Sequence, residues 1–162
     1  MTPTRVLFVC LGNICRSPLA EGVFRDLAAR EGLAEAFVID SAGTGDWHVG
    51  ERPDRRAIEA AAWRGIDISG QRARQATVED LAGFDHVLAM DAKNLDALQR
   101  LARGGGARPR LFLDHARGVS AREVPDPYFD GGFEAALALI EAGARDLLLD
   151  LRNGAALQQN TD

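Results

Sequence analysis

Cysteine is scarce: only two of the 162 residues are cysteines, Cys10 and Cys15, and both fall in one short stretch. Two such residues make no disulfide framework, and with no histidine cluster beside them they make no zinc site. No metal or other cofactor is therefore expected. No apolar run approaches the roughly 18 residues that cross a membrane. The opening Met1-Thr2-Pro3-Thr4-Arg5 lacks the apolar segment of a signal peptide. Both absences point to a cytoplasmic protein without a membrane partner. Positive charge is not in excess either, since the net charge is −5, which argues against nucleic acid as a partner. Of the 19 basic residues only Lys93 is a lysine, a bias to which no function attaches. No internal repeat or linker breaks the chain. The remaining composition, 46% apolar and 27% charged, suits one soluble domain over residues 1–162, long enough to bury a proper core. A polar tail is expected from about residue 153, and a monomer is expected.

The residue types that are present concentrate their chemistry in Cys10-Leu11-Gly12-Asn13-Ile14-Cys15-Arg16-Ser17. The apolar run Val6-Leu7-Phe8-Val9 precedes this octet, and Pro18 with a helical pattern follows it. A loop between a strand and a helix N-terminus points backbone N–H groups into one small space, and the helix end adds partial positive charge. Gly12 lets the loop turn, and Asn13 tolerates a left-handed conformation. A cysteine near a helix N-terminus and a guanidinium ionises readily, which makes Cys10 the expected nucleophile. Arg16 offers a planar fork that matches two phosphate oxygens. Ser17 can cap the helix or donate to the thiolate. The loop is built to bind a phosphoryl group and attack it from Cys10.

The octet resembles the phosphate loop of the low-molecular-weight protein tyrosine phosphatases. Ser41-Ala42-Gly43-Thr44, Ala73-Arg74-Gln75 and Asp126-Pro127-Tyr128 extend the resemblance from about residue 4 to about residue 152. It implies that Leu11, Gly12, Asn13, Ile14, Cys15 and Ser17 bind phosphate with Arg16. It implies that Ser41 bonds Asn13 and holds the loop's shape. Many relatives carry a histidine just before the Ala73 motif, bonded to the loop asparagine. Gln71 stands there in this chain, and its amide is able to replace that bond without titrating. By itself Cys15 reads as a small buried loop residue; the resemblance adds reversible disulfide protection of Cys10.

Further along, Trp47 sits in the glycine-rich loop 41–53. It either tucks into a local cluster or walls a substrate cleft, and the resemblance favours the wall. His48 reads as a solvated or locally bonded loop residue. Asp126 between Pro125 and Pro127 is held rigidly and alone reads as a turn. Beside a phosphate loop, and in a segment resembling the family's acid loop, it becomes the candidate general acid. Tyr128 and Phe129 would form the second aromatic wall.

Strands are expected at 6–10, 37–40, 86–90 and 110–113. Helices are expected from Pro18 to Gly32, at 54–64, after Thr77, after Asp91 and over 133–151. The alternation predicts an α/β domain: a four-stranded parallel sheet flanked by helices on both faces. The expected reaction is hydrolysis of phosphotyrosine in proteins through a phosphocysteine, with Cys10 as nucleophile and Asp126 as acid, then base. Three rivals are weighed. A phosphoarginine phosphatase carries threonine where Ile14 stands. An arsenate reductase on the same fold needs further cysteines. A non-catalytic phosphate binder needs neither a nucleophile nor an acid.

Overall fold

The computed structural model describes residues 2–103 and 105–161. Met1, Gly104 and Asp162 of the expected tail lie outside them. The strands are β1 (Thr4–Cys10), β2 (Phe37–Gly43), β3 (His86–Ala89) and β4 (Arg110–Leu111). The helices are α1 (Arg16–Arg30), α2 (Arg55–Ala62), α3 (Val78–Gly83), α4 (Ala92–Ala102) and α5 (Phe133–Thr161). The four strands are all parallel, in the order β2-β1-β3-β4.

Two cores account for the apolar run in β1. Val6, Phe8 and Cys10 face one side of the sheet, among residues of α1, α2 and α5. Leu7 and Val9 face the other, among Leu81, Val87 and Leu98 of α3, β3 and α4. A strand covered on both faces cannot alternate apolar with polar. On the first face the rings of Phe24 and Phe112 lie 5.8 and 5.6 Å from Phe8, and Phe37 lies 5.2 Å from Phe24. Such pairs add about 0.5–1.5 kcal/mol each beyond the area they bury.

Helix starts follow the caps. Asp54 caps α2, while Thr77 and Asp91 open α3 and α4 with complete capping boxes. Helix α1 is different: it begins at Arg16 rather than Pro18, with no capping side chain and no acidic residue in its first turn. Its N–H groups and dipole are left for something else. Strand β4 stops at Leu111, two residues early, because Phe112 and Leu113 turn through a 3₁₀ segment into the core. Helix α5 continues as backbone to Thr161, through Asn153 where a tail is expected. Among the described residues no helix is long and apolar enough to cross a membrane.

Candidate active site

The octet leaves the carboxyl end of β1, between the loops that follow β2 and β3. In sheets of this order that is where ligands bind. Its carbonyls are taken from outside: Thr44 N donates to Cys10 O, Gly45 N to Leu11 O and Asp54 N to Ile14 O, at 2.7 to 2.9 Å. Among the described hydrogen bonds none uses an N–H of residues 11–15. A loop with three carbonyls turned to outside donors and its own N–H groups unused among the described bonds, feeding an uncapped helix, suits an anion.

Asn13 fixes the loop's shape. Its φ of 58° is left-handed. Its Nδ2 donates to Ser17 Oγ at 2.8 Å and to Ser41 Oγ at 3.0 Å, and its Oδ1 accepts from Arg74 N at 3.0 Å. Arg74 is itself held by Asp40 and Asp80. Gln71 does not do what its place suggests: it donates to Pro18 O at 3.1 Å and does not reach Asn13. A backbone N–H, with nothing to titrate, fills the role expected of that side chain. Ser41 Oγ donates its own hydrogen bond to Glu21 Oε1 at 2.7 Å. Glu21 is buried and paired with Arg25, and sequence reasoning missed it. Its spacing of four from Ser17 along α1 was the available signal.

Cys10 Sγ lies 3.0 Å from Ser17 Oγ. That oxygen accepts from Asn13, and its hydrogen has two acceptors in reach, the sulfur and, at 3.5 Å, Ala42 O. Ser17 thus serves the sulfur and does not cap α1. Cys15 is a free, buried thiol, and burial, reinforced by Asp54 and Cys10, pushes its pKa well up. It stays protonated at neutral pH.

Arg16 is buried. Its Nη1 donates to Asp91 Oδ2 at 2.7 Å and to Val124 O at 2.9 Å, while Nη2 lies 3.7 Å from Asp126 Oδ2. Burial works to lower its pKa, but Cys10 and the Asp91 hydrogen bond outweigh that and keep it above the ordinary value. Asp91 therefore does two jobs, since its other oxygen caps α4. The sequence showed the cap and not the ion pair. Asp126 Oδ1 accepts from Tyr128 N at 3.1 Å.

Cys10, Cys15, Arg16 and Asp126 line one cleft of about 130 Å³. Its floor is Cys10, Gly12, Ile14 and Arg16; its walls are Trp47, His48, Asp126, Tyr128 and Phe129, with Leu11 and Cys15 at the side. Trp47 and Phe129 are 68% and 88% exposed, large apolar surfaces at its mouth. His48 is locally bonded, to Glu51 at 2.7 Å, yet it also lines the cleft, with its ring 6.4 Å from Tyr128.

Residues 5–161 match the sequence pattern of the family described as low molecular weight phosphotyrosine protein phosphatase. The chain belongs to this family. The family is one of cysteine-based hydrolases. The low molecular weight protein-tyrosine-phosphatase YfkJ of Bacillus subtilis is 44% identical over 91% of this chain and 95% of its own length. The pig low molecular weight phosphotyrosine protein phosphatase is 52% identical over 80% of this chain and 84% of its own. Among solved structures, that of YfkJ superposes with a TM-score of 0.92 at 42% identity, covering 95% of this chain and 98% of the other. A Drosophila arginine phosphatase superposes with a TM-score of 0.84 at 31% identity, covering 90% and 96%.

Proposed function

We propose that the protein hydrolyses phosphotyrosine in protein substrates by double displacement at Cys10. The observation that carries the reading is the convergence of Cys10, Arg16 and Asp126 on one cleft with a loop of free N–H groups between them. The loop amides and Arg16 hold the non-bridging oxygens, where charge sits in phosphoryl transfer. Cys10 sulfur attacks phosphorus as the phosphorus–phenol oxygen bond breaks. Asp126 gives its proton to the departing oxygen. Water then attacks the phosphocysteine, Asp126 takes back a proton, and the sulfur leaves with its electron pair, eased by the Ser17 hydroxyl. Trp47 and Tyr128 give the phenyl ring two aromatic walls. The reading takes a phosphoprotein as substrate, needs no metal or cofactor, and puts a monomer in the cytoplasm.

The Drosophila neighbour named an arginine phosphatase keeps phosphoarginine as the second reading. Ile14 on the cleft floor and the aromatic walls favour phosphotyrosine. Steady-state hydrolysis of phosphotyrosine, phosphoserine and phosphoarginine peptides, with EDTA present, separates the two. Turnover of phosphotyrosine alone is expected, with Asp126→Ala lowering it by about 10²–10⁴. Cys10→Ser is expected to abolish turnover and to keep phosphate binding. Substantial turnover by Cys10→Ser would sink the mechanism, and preference for phosphoarginine would reverse the substrate assignment.

A further inference from the structure

The start of α2 ties the phosphate loop to the segment that carries Asp126. Asp54 N donates to Ile14 O of the phosphate loop at 2.7 Å. The Asp54 carboxylate caps α2 and accepts a two-pronged fork from Arg56, Nε to Oδ1 at 3.1 Å and Nη2 to Oδ2 at 3.0 Å. From that anchor Arg56 Nη2 reaches across 72 residues of sequence to donate to Tyr128 O at 3.0 Å. Its guanidinium also lies over the rings of Phe133 and Tyr128, at 4.7 and 5.7 Å. Phe133 is buried at the first position of α5. The Tyr128 residue is therefore held from both sides, its carbonyl by Arg56 and its N–H by Asp126 Oδ1. The other link described between this segment and the phosphate loop is Arg16, the first residue of α1, which donates to Val124 O at 2.9 Å and lies 3.7 Å from Asp126 Oδ2.

We propose that Arg56, oriented by Asp54, is a positioning residue that holds Asp126 at the distance from Cys10 where it can protonate the leaving group. The inference rests on Asp126 being the general acid. Arg56 touches no reacting atom. It acts through the Tyr128 peptide, and its planar fork suits two simultaneous partners as a lysine ammonium does not. Misplacing a catalytic group by about an ångström can cost about a hundredfold.

A position-dependent acid has a signature that simple damage to the fold lacks. A phenol of pKa about 10, like tyrosine's own, needs the proton; a para-nitrophenol leaves without much help. The test is kcat/KM for phenyl phosphate and para-nitrophenyl phosphate in wild type, Arg56→Met, Arg56→Lys and Asp126→Ala, with inhibition by inorganic phosphate as the check on the loop. Asp126→Ala should lose far more on phenyl phosphate than on para-nitrophenyl phosphate. Arg56→Met should repeat that pattern at smaller size, about tenfold against about twofold, with phosphate inhibition unchanged. Arg56→Lys should recover part of the loss, and Arg56→Met added to Asp126→Ala should cost nothing further. Equal loss on both esters, weakened phosphate inhibition, or no loss at all in Arg56→Met would overturn the proposal while leaving Asp126 in its role. An Asp126→Ala protein without leaving-group discrimination would instead overturn the acid assignment itself.

Discussion

Asn13, Ser17 and Cys10 form a chain of hydrogen bonds. Arg74 N–H occupies the Asn13 side-chain carbonyl, so the Asn13 amide donates to Ser17, and the Ser17 hydrogen has the sulfur at 3.0 Å as a nearer acceptor than Ala42 O at 3.5 Å. A hydrogen bond to a charged sulfur is worth about 1.5–3 kcal/mol. Ser17→Ala should therefore lower kcat by about ten- to a hundredfold while KM for para-nitrophenyl phosphate changes little; rapid-mixing bursts locate the loss in phosphocysteine breakdown. An unchanged kcat would remove Ser17 from the chemistry. Cys15, its pKa raised by burial and by Asp54, should resist iodoacetamide at pH 7. Peptide mass spectrometry of the alkylated protein checks this, and a label on Cys15 would contradict it. At this scale the octet was legible because its chemistry is local. Asp91 and Glu21 were not, because each earns its role only through a contact, with Arg16 or Ser41, across the sheet.

Strands and helices were largely legible, since apolar runs, caps and turn residues are local signals. The misses have physical causes. Helix α1 starts at Arg16 with no capping side chain to mark the place, and β4 is cut short by core packing of Phe112. One element end decides whether the site exists. At the close of β2, a Cβ on Gly43 would meet Leu11 O at 2.8 Å, Gly12 C at 3.1 Å and Asn13 N at 3.2 Å, all backbone. Gly43→Ala should thus displace the phosphate loop, lower stability by about 1–3 kcal/mol and abolish phosphate inhibition. Gly70→Ala, with nothing within 4 Å of its Cβ, should do neither. Urea midpoints and inhibition constants for the pair test this; similar behaviour in both would refute the packing argument.

For the whole molecule, acid should act in two stages. Burial pushes the His86 pKa down, against Asp85. The folded state resists its protonation, so stability is complete above the unfolded value of about 6.5 and falls below it. Deeper in acid, Asp54, Asp80 and Asp150 matter. Arg56 holds Asp54 low; at Asp80 burial works upward but is outweighed by Arg74 and Thr77; at Asp150 burial is outweighed by His115 and Arg117. Each depressed carboxylate contributes stability above about pH 4 that is lost as pH drops through its folded pKa. Urea unfolding at pH 7.5, 5 and 3 should show both losses, with His86→Gln flattening the first and Asp80→Asn the second. Identical slopes in the variants would reassign them.

The supports of the loop 10–17 come from distant parts of the chain. Asn13 depends on partners 28 and 61 residues away, and Arg16 on partners 75 and 108 away. Cys10 is synthesised before every one of these partners. After dilution from urea, turnover should return only with the slowest refolding phase, behind far-ultraviolet dichroism. On the ribosome, a chain not yet extended through Val124 carries Cys10 in a loop without its full set of supports, and the emerging protein is expected to be inert until that segment has been made.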